Sequence, residues 1–165
     1  MIAAVVLAAG ASTRFGSPKQ RQLLPRVLQR VGLSSVDEIV VVLGAHDVES
    51  DARAVHCPEW ERGPGASLRC GLRALGPSAE AAVVVLGDGP ELDPRAVDRV
   101  VAAWRASGTS RVAATYGGVR LHPVLLAREA WAEIPDEGLR DVPADLVACD
   151  DLTPPGDVDT PNGSL

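Results

Sequence analysis

Lysine is almost absent from the chain: Lys19 stands alone beside fifteen arginines. Aromatic residues are scarce as well, at 3% of 165 positions, so a core must be built from Ala, Val and Leu, which suit closely packed layers of helix on sheet. Cysteine is limited to Cys57, Cys70 and Cys149, with no CxxC pair. That count and spacing argue against a zinc site or a disulfide framework and for a reduced, cytoplasmic setting. No apolar run approaches the roughly 20 residues that span a bilayer. The first residues lack a basic leader and read as a strand, not a signal peptide. A net charge of −6 argues against nonspecific binding to nucleic acid or to an anionic membrane, which needs basic surface. Any anionic ligand must therefore be met locally, by a few cations and a metal.

What is present is a repeated pattern. Three apolar runs, residues 2–7, 39–43 and 81–86, are nearly interchangeable, and each ends in a glycine-bearing loop. Continuous β-branched runs without alternation mark strands covered on both faces, as in a parallel sheet. Helical stripes lie between them: Leu24, Val27, Leu28 and Val31 before Gly32, then Leu68, Leu72 and Leu75 before Gly76 and Pro77. Asp93 and Pro94 read as the cap and first turn of another helix, with Val97, Val100, Val101 and Trp104 on its buried face. Further strands are predicted over 111–115 and 123–126, a short helix over 128–133, and one short strand in an otherwise irregular 142–165. The expectation is an α/β chain forming a single domain over 1–165, a three-layer α/β/α arrangement around a mostly parallel sheet. Right-handed crossovers would bring the loops after Leu7, Leu43 and Leu86 to one edge, where open α/β sheets bind ligands.

The first of these loops, LAAGASTRFGSPK over residues 7–19, carries the lone lysine. Its small residues let the backbone curl so that successive N–H groups face an anion, and Arg14 and Lys19 add formal charge. An ammonium is a point charge on a flexible stem, unlike the planar guanidinium fork, and is able to follow a phosphate as it moves. The spacing fits neither GxxxxGK[ST] nor GxGxxG, which removes the reason to expect a dinucleotide cofactor. Asp88 follows the third apolar run directly, and a carboxylate at that edge suits Mg²⁺, which binds one or two carboxylates together with substrate phosphates. His46, His56, the cysteines and the tryptophans have no ligand-like spacing and are assigned to packing or surface.

The pattern LAAGxSxRxGxxK resembles the MobA-like nucleotidyltransferases, above all the molybdenum cofactor cytidylyltransferases. The likeness continues through Gly63-Pro-Gly-Ala-Ser67-Leu-Arg-Cys-Gly71-Leu, similar to GxxxSLxxGL; Gly87-Asp88-Gly89-Pro90, similar to GDxP; His122-Pro123; Gly138-Leu-Arg140, a worn GAR; and Asp157-Val-Asp159-Thr-Pro161. It implies a Rossmann-like nucleotide-binding fold and a Mg²⁺-dependent transfer of a nucleoside monophosphate to a phosphorylated acceptor, with release of pyrophosphate. In that scheme Arg14, Lys19 and Asp88 are catalytic, and Leu7, Ala8, Ala9, Gly10, Gly65, Ser67 and Gly71 lie along the nucleotide. Asp88 and Asp159 hold the metal, while His122, Arg140 and Asp157 face the acceptor. For His122 a strand-entry turn is the equal alternative. Ala9, as opposed to glycine, favours CTP over GTP. Molybdopterin is the implied acceptor, but the segment 20–28 is shortened and Leu121 replaces the usual glycine before His-Pro. Both departures touch acceptor recognition, which leaves a sugar phosphate or another small phosphorylated acceptor as the alternative. A shortened relative that binds nucleotide without catalysis is the third reading.

Overall fold

The computed structural model describes residues 1–10 and 20–156, without the side chains of residues 20–22. Among the described residues seven strands form one sheet: β1 Ile2–Ala8, β2 Glu38–Leu43, β3 Arg53–His56, β4 Ala81–Leu86, β5 Arg111–Tyr116, β6 Val119–Ala127 and β7 Asp145–Ala148. Their order across the sheet is β3-β2-β1-β4-β6-β5-β7. All pairings are parallel except those of β6, which runs against both β4 and β5. The mostly parallel Rossmann-like sheet expected from the three apolar runs is what the chain forms.

Why those runs do not alternate is visible in β1. Ile2, Ala4, Val6 and Ala8 face one apolar cluster, whereas Ala3 and Val5 face the other. Helices α1 Gln20–Gly32 and α3 Pro94–Ser107 cover the first face through Leu24, Val27, Val31, Val97, Val100 and Val101, and α2 Pro64–Arg73 covers the second through Leu68 and Leu72. Val83, Val84 and Val85 of β4 are completely buried, each contributing about 1.5–3 kcal/mol of transfer free energy.

α3 starts as its sequence dictates: the Asp93 carboxylate accepts from the Arg95 N–H (2.9 Å), Pro94 fills the first position, and Gly108 closes the helix in the left-handed conformation. One expectation needs correction, and two features go beyond the sequence reading. The segment 128–133 is only a 3-10 turn, Arg128–Ala130. α1 begins at Gln20 and runs through Pro25, although an internal proline removes a helical hydrogen bond. β3, short and largely exposed, has no apolar run to announce it.

The cysteines supply a second correction. Cys57, just past β3, is disulfide-bonded to Cys70 on α2, and Cys149 is free and buried. Sequence spacing hides the pair because its partners meet only when α2 lies across the end of β3. The unpaired-thiol argument for a reduced compartment loses its basis. Among the described residues no helix is long and apolar enough to cross a membrane.

Candidate active site

The carboxyl ends of β1, β2 and β4 meet through their backbones. The Gly87 N–H donates to the Leu7 carbonyl (2.8 Å), and the Ala45 N–H donates to the Ala9 carbonyl (3.0 Å). Ala8, Ala9 and Gly10 thus lie between the loop after β2 and the loop after β4. Glycine is needed at Gly44, where a Cβ would stand 2.7 Å from the Ala9 carbonyl oxygen and 2.6 Å from Trp60, and Gly87 leaves little room, since a Cβ there would stand 3.0 Å from the Leu7 oxygen. Gly10 is exposed at this edge. Ala9 is 4% exposed, and its methyl packs with the α2-side cluster.

Asp88 occupies the tip of a turn that the Gly89 N–H closes onto the Leu86 carbonyl (3.3 Å), and it is half-buried. Behind this turn lies His122, 1% exposed, whose Nδ1 accepts from the Leu86 N–H at 3.4 Å. The imidazole is inside the protein, not on an open acceptor surface. Tyr116 Oη donates to the His122 carbonyl (3.1 Å), and burial pushes the Tyr116 phenol up, keeping it a donor. On the outer side the Glu91 N–H donates to the Pro155 carbonyl (2.9 Å), and a Cβ on Gly89 would lie 3.0 Å from the Gly156 oxygen. Pro155 and Gly156 therefore lie beside the Asp88 turn. Arg14, Lys19, Asp157 and Asp159 lie outside the described residues.

The three residues assigned on α2 have packing environments. Gly71 is where α2 touches the sheet: a Cβ there would stand 2.6 Å from Val5 Cγ1 and 2.7 Å from Val42 Cγ2. At Gly65 a Cβ would overlap the Pro135 carbonyl, and its N–H donates to the Asp136 carbonyl (2.9 Å). Ser67 is 3% exposed. Segment 134–142 thus seals the start of α2. Its anchors, which spacing gave no means of finding, are arginines. Arg69 donates to the Ile134 carbonyl (2.6 Å), Arg69 and Arg62 both pair with Asp136, and Arg120 donates to the carbonyls of Val142 (2.6 Å) and Leu139 (2.8 Å). Arg69, then Arg62, holds the Asp136 carboxyl below the usual carboxylate range, while burial lowers the Arg120 guanidinium. Arg140 is exposed on the same segment.

A cavity of about 1130 Å³ lies at the other edge, between α1 and the amino ends of β2 and β3. Its lining includes Asp37, Glu38, Glu49 and Asp51 and no basic residue, which disfavours a polyphosphate there. Among the described residues no cluster of three His, Cys, Asp or Glu side chains could cage a metal ion. Asp88 at the ligand edge instead fits the way Mg²⁺ is held, by one or two carboxylates with substrate phosphates completing the shell.

Residues 4–146 match the family model of the MobA-like NTP transferase domain. Over 96% of this chain and 93% of the other, the structure is similar to that of Rv0371c from Mycobacterium tuberculosis H37Rv, at a TM-score of 0.81 and 27% identity. A second structure of Rv0371c, in complex with manganese, is similar at a TM-score of 0.75 and 26% identity, over 98% of this chain and 95% of that one. A curated relative, the bifunctional protein GlmU of Streptomyces coelicolor, is 34% identical over 126 residues, 66% of this chain and 26% of its own length. The chain spans about a quarter of the curated relatives it matches.

Proposed function

The chain belongs to the MobA-like NTP transferase family, and from that premise we propose that it transfers CMP from CTP to a phosphorylated acceptor, molybdopterin foremost, releasing pyrophosphate. The observation that carries this reading is the junction at the carboxyl edge, where the exit of β1 and the half-buried Asp88 turn are joined by the Gly87 to Leu7 hydrogen bond.

In this reading an oxygen of the acceptor's terminal phosphate attacks the α-phosphorus of the nucleotide in line. The bond from that phosphorus to the bridging oxygen breaks, and pyrophosphate leaves with the electron pair. No group on the protein needs to become covalently attached, so the chain supplies position and charge. Asp88 and Asp159 would hold Mg²⁺, which when bound neutralises phosphate charge. The amides of the loop that begins at Ala8, with Arg14 and Lys19, meet the charge that grows on the leaving group. Each cation about 4 Å from a phosphate is worth roughly 4 kcal/mol at a surface-like dielectric, so two of them matter in a chain of net charge −6. The manganese complex of the similar Rv0371c structure supports a divalent ion. Ala9 favours CTP, and the cytosine nucleotide is therefore the first to test.

Pyrophosphate release from CTP with Mg²⁺ and a panel of acceptors, molybdopterin and sugar phosphates among them, is the direct test. We expect turnover with molybdopterin and a loss on the order of 10²–10³-fold in Asp88→Asn with the fold intact. Lys19→Arg, which keeps the charge and changes its shape, should also lose activity. Tight CTP binding with no turnover on any acceptor would reject the enzyme in favour of a nucleotide-binding relative.

A further inference from the structure

β6 carries an irregularity whose position coincides with the Asp88 turn. Its register against β5 passes from Ala113 opposite Val124 to Ala114 opposite Leu121, so that His122 and Pro123 have no counterpart on β5. β6 also pairs with β4 only as far as Val124 opposite Val84. An irregularity of this kind re-aims a side chain, and here the imidazole reaches the end of β4.

The ring touches both feet of the turn that holds Asp88. At the first foot the Leu86 N–H points at Nδ1, 3.4 Å away. At the second, Gly89 approaches so closely that a Cβ there would be 2.9 Å from both Cε1 and Nε2. Because Nδ1 accepts, the neutral ring carries its proton on Nε2. The ring is itself fixed from behind by the Tyr116 hydroxyl on the His122 carbonyl (3.1 Å). The same Cβ on Gly89 would stand 3.0 Å from the Gly156 oxygen, so the ring, Gly89 and Gly156 crowd around one point.

We propose that His122 is a positioning residue for the divalent-cation site: its imidazole sets the spacing of Leu86 and Gly89 and thereby the orientation of the Asp88 carboxylate. This rests on the reading of Asp88 as a metal ligand given above. It replaces direct contact with the acceptor as the work of the His-Pro pair. Outer groups that orient a ligand commonly change metal affinity 10- to 100-fold when removed.

The test uses three substitutions in the full chain. Asparagine places an oxygen where Nδ1 stands, whereas glutamine reaches toward the Nε2 position and leaves the Leu86 N–H without its acceptor. Alanine removes both. Mn²⁺ binding in the presence of CTP, read by the loss of free-ion electron paramagnetic resonance signal, should weaken about tenfold or more in His122→Gln and His122→Ala and stay within about threefold of the parent in His122→Asn. The Mg²⁺ concentration for half-maximal pyrophosphate release should follow the same order, with the KM for acceptor unchanged. Parental Mn²⁺ affinity in both the Gln and Ala variants overturns the proposal, and so do equal losses in Asn and Gln. If Ala fails to fold, the Asn and Gln pair alone decides. A parent protein that binds Mn²⁺ yet releases no pyrophosphate overturns the catalytic reading and leaves the Asn and Gln comparison of metal affinity intact.

Discussion

The two halves of the sheet are held together in different ways. In the half formed by β1, β2 and β4, small residues let backbones and helices approach directly: Gly44 against Ala9, Gly87 against Leu7, and Gly71 against Val5 and Val42. The half beyond β4 is cross-braced by arginine. Arg120 spans to Leu139 and Val142, Arg69 to Ile134, Arg128 to Gly76 and Ala79, and Arg99 to Ala148 and Asp151. A guanidinium donates to two carbonyls from one rigid plane, which an ammonium does not do. This explains part of the bias toward arginine: several of the fifteen are structural forks.

The junction of the halves is the most sensitive place to strike. In Gly65→Ala the new Cβ meets the Pro135 carbonyl, a backbone atom that has little room to retreat. We expect a loss of about 3 kcal/mol and early proteolytic cleavage within 134–142. An unchanged melting temperature would mean that the strapped segment is not part of the cooperative fold.

Next in size is the Cys57–Cys70 cross-link, which closes a loop of 13 residues from the end of β3 to α2. Chain-entropy reasoning gives about 3 kcal/mol for such a loop, or a fall of roughly 6–12 °C in the melting temperature on reduction. Reduced and oxidised protein melting together would show that α2 is held to the sheet by the packing of Leu68, Gly71 and Leu72 without help from the cross-link.

The same contrast explains what could be read from the sequence. Residues 81–86 were legible because a strand buried on both faces needs apolar side chains at every position, and Asp93 with Pro94 because a helix start has its own local chemistry. Asp88 was legible because it follows such a strand. The strapped half was not. Arg69 to Ile134 joins residues 65 positions apart, and no local pattern encodes a side chain that binds a distant carbonyl. Gly65 and Gly71 are placed along the nucleotide by the family resemblance, while the close contacts that fill their missing side chains' space carry no sequence signal. His122 stood out beside its proline, but its burial under the turn depends on the shift in register at Ala113 and Ala114.

The forks themselves are tested by Arg120→Lys. Lysine keeps the charge and one hydrogen bond to Leu139 or Val142 while losing the second, a cost of about 1–2 kcal/mol. Because burial already lowers the Arg120 guanidinium, the cost should grow where lysine is able to deprotonate, near the top of the accessible pH range. Equal melting curves for the two proteins would reduce the arginine bracing to charge alone.

The smallest effect belongs to the most exposed brace. Arg99 grips both oxygens of Asp151, at 2.5 and 2.6 Å, and this guanidinium holds the Asp151 carboxyl down to about 2 from 3.8. A carboxyl depressed on folding contributes stability that is fully present above the unfolded value and is lost as pH falls through the folded one. The contribution of this pair is therefore expected to be steady above about pH 4 and to fade toward pH 2. Since the Asp151 side chain is 63% exposed, solvent and salt screen the interaction. Asp151→Asn should lower the melting temperature slightly at pH 6, by less in 0.5 M salt, and the gap from the parent should close as the pH approaches 2. A gap that persists unchanged to pH 2 would mean that the side chain holds the end of β7 by shape, not charge, and the distinction between the braced half and the packed half would narrow to geometry.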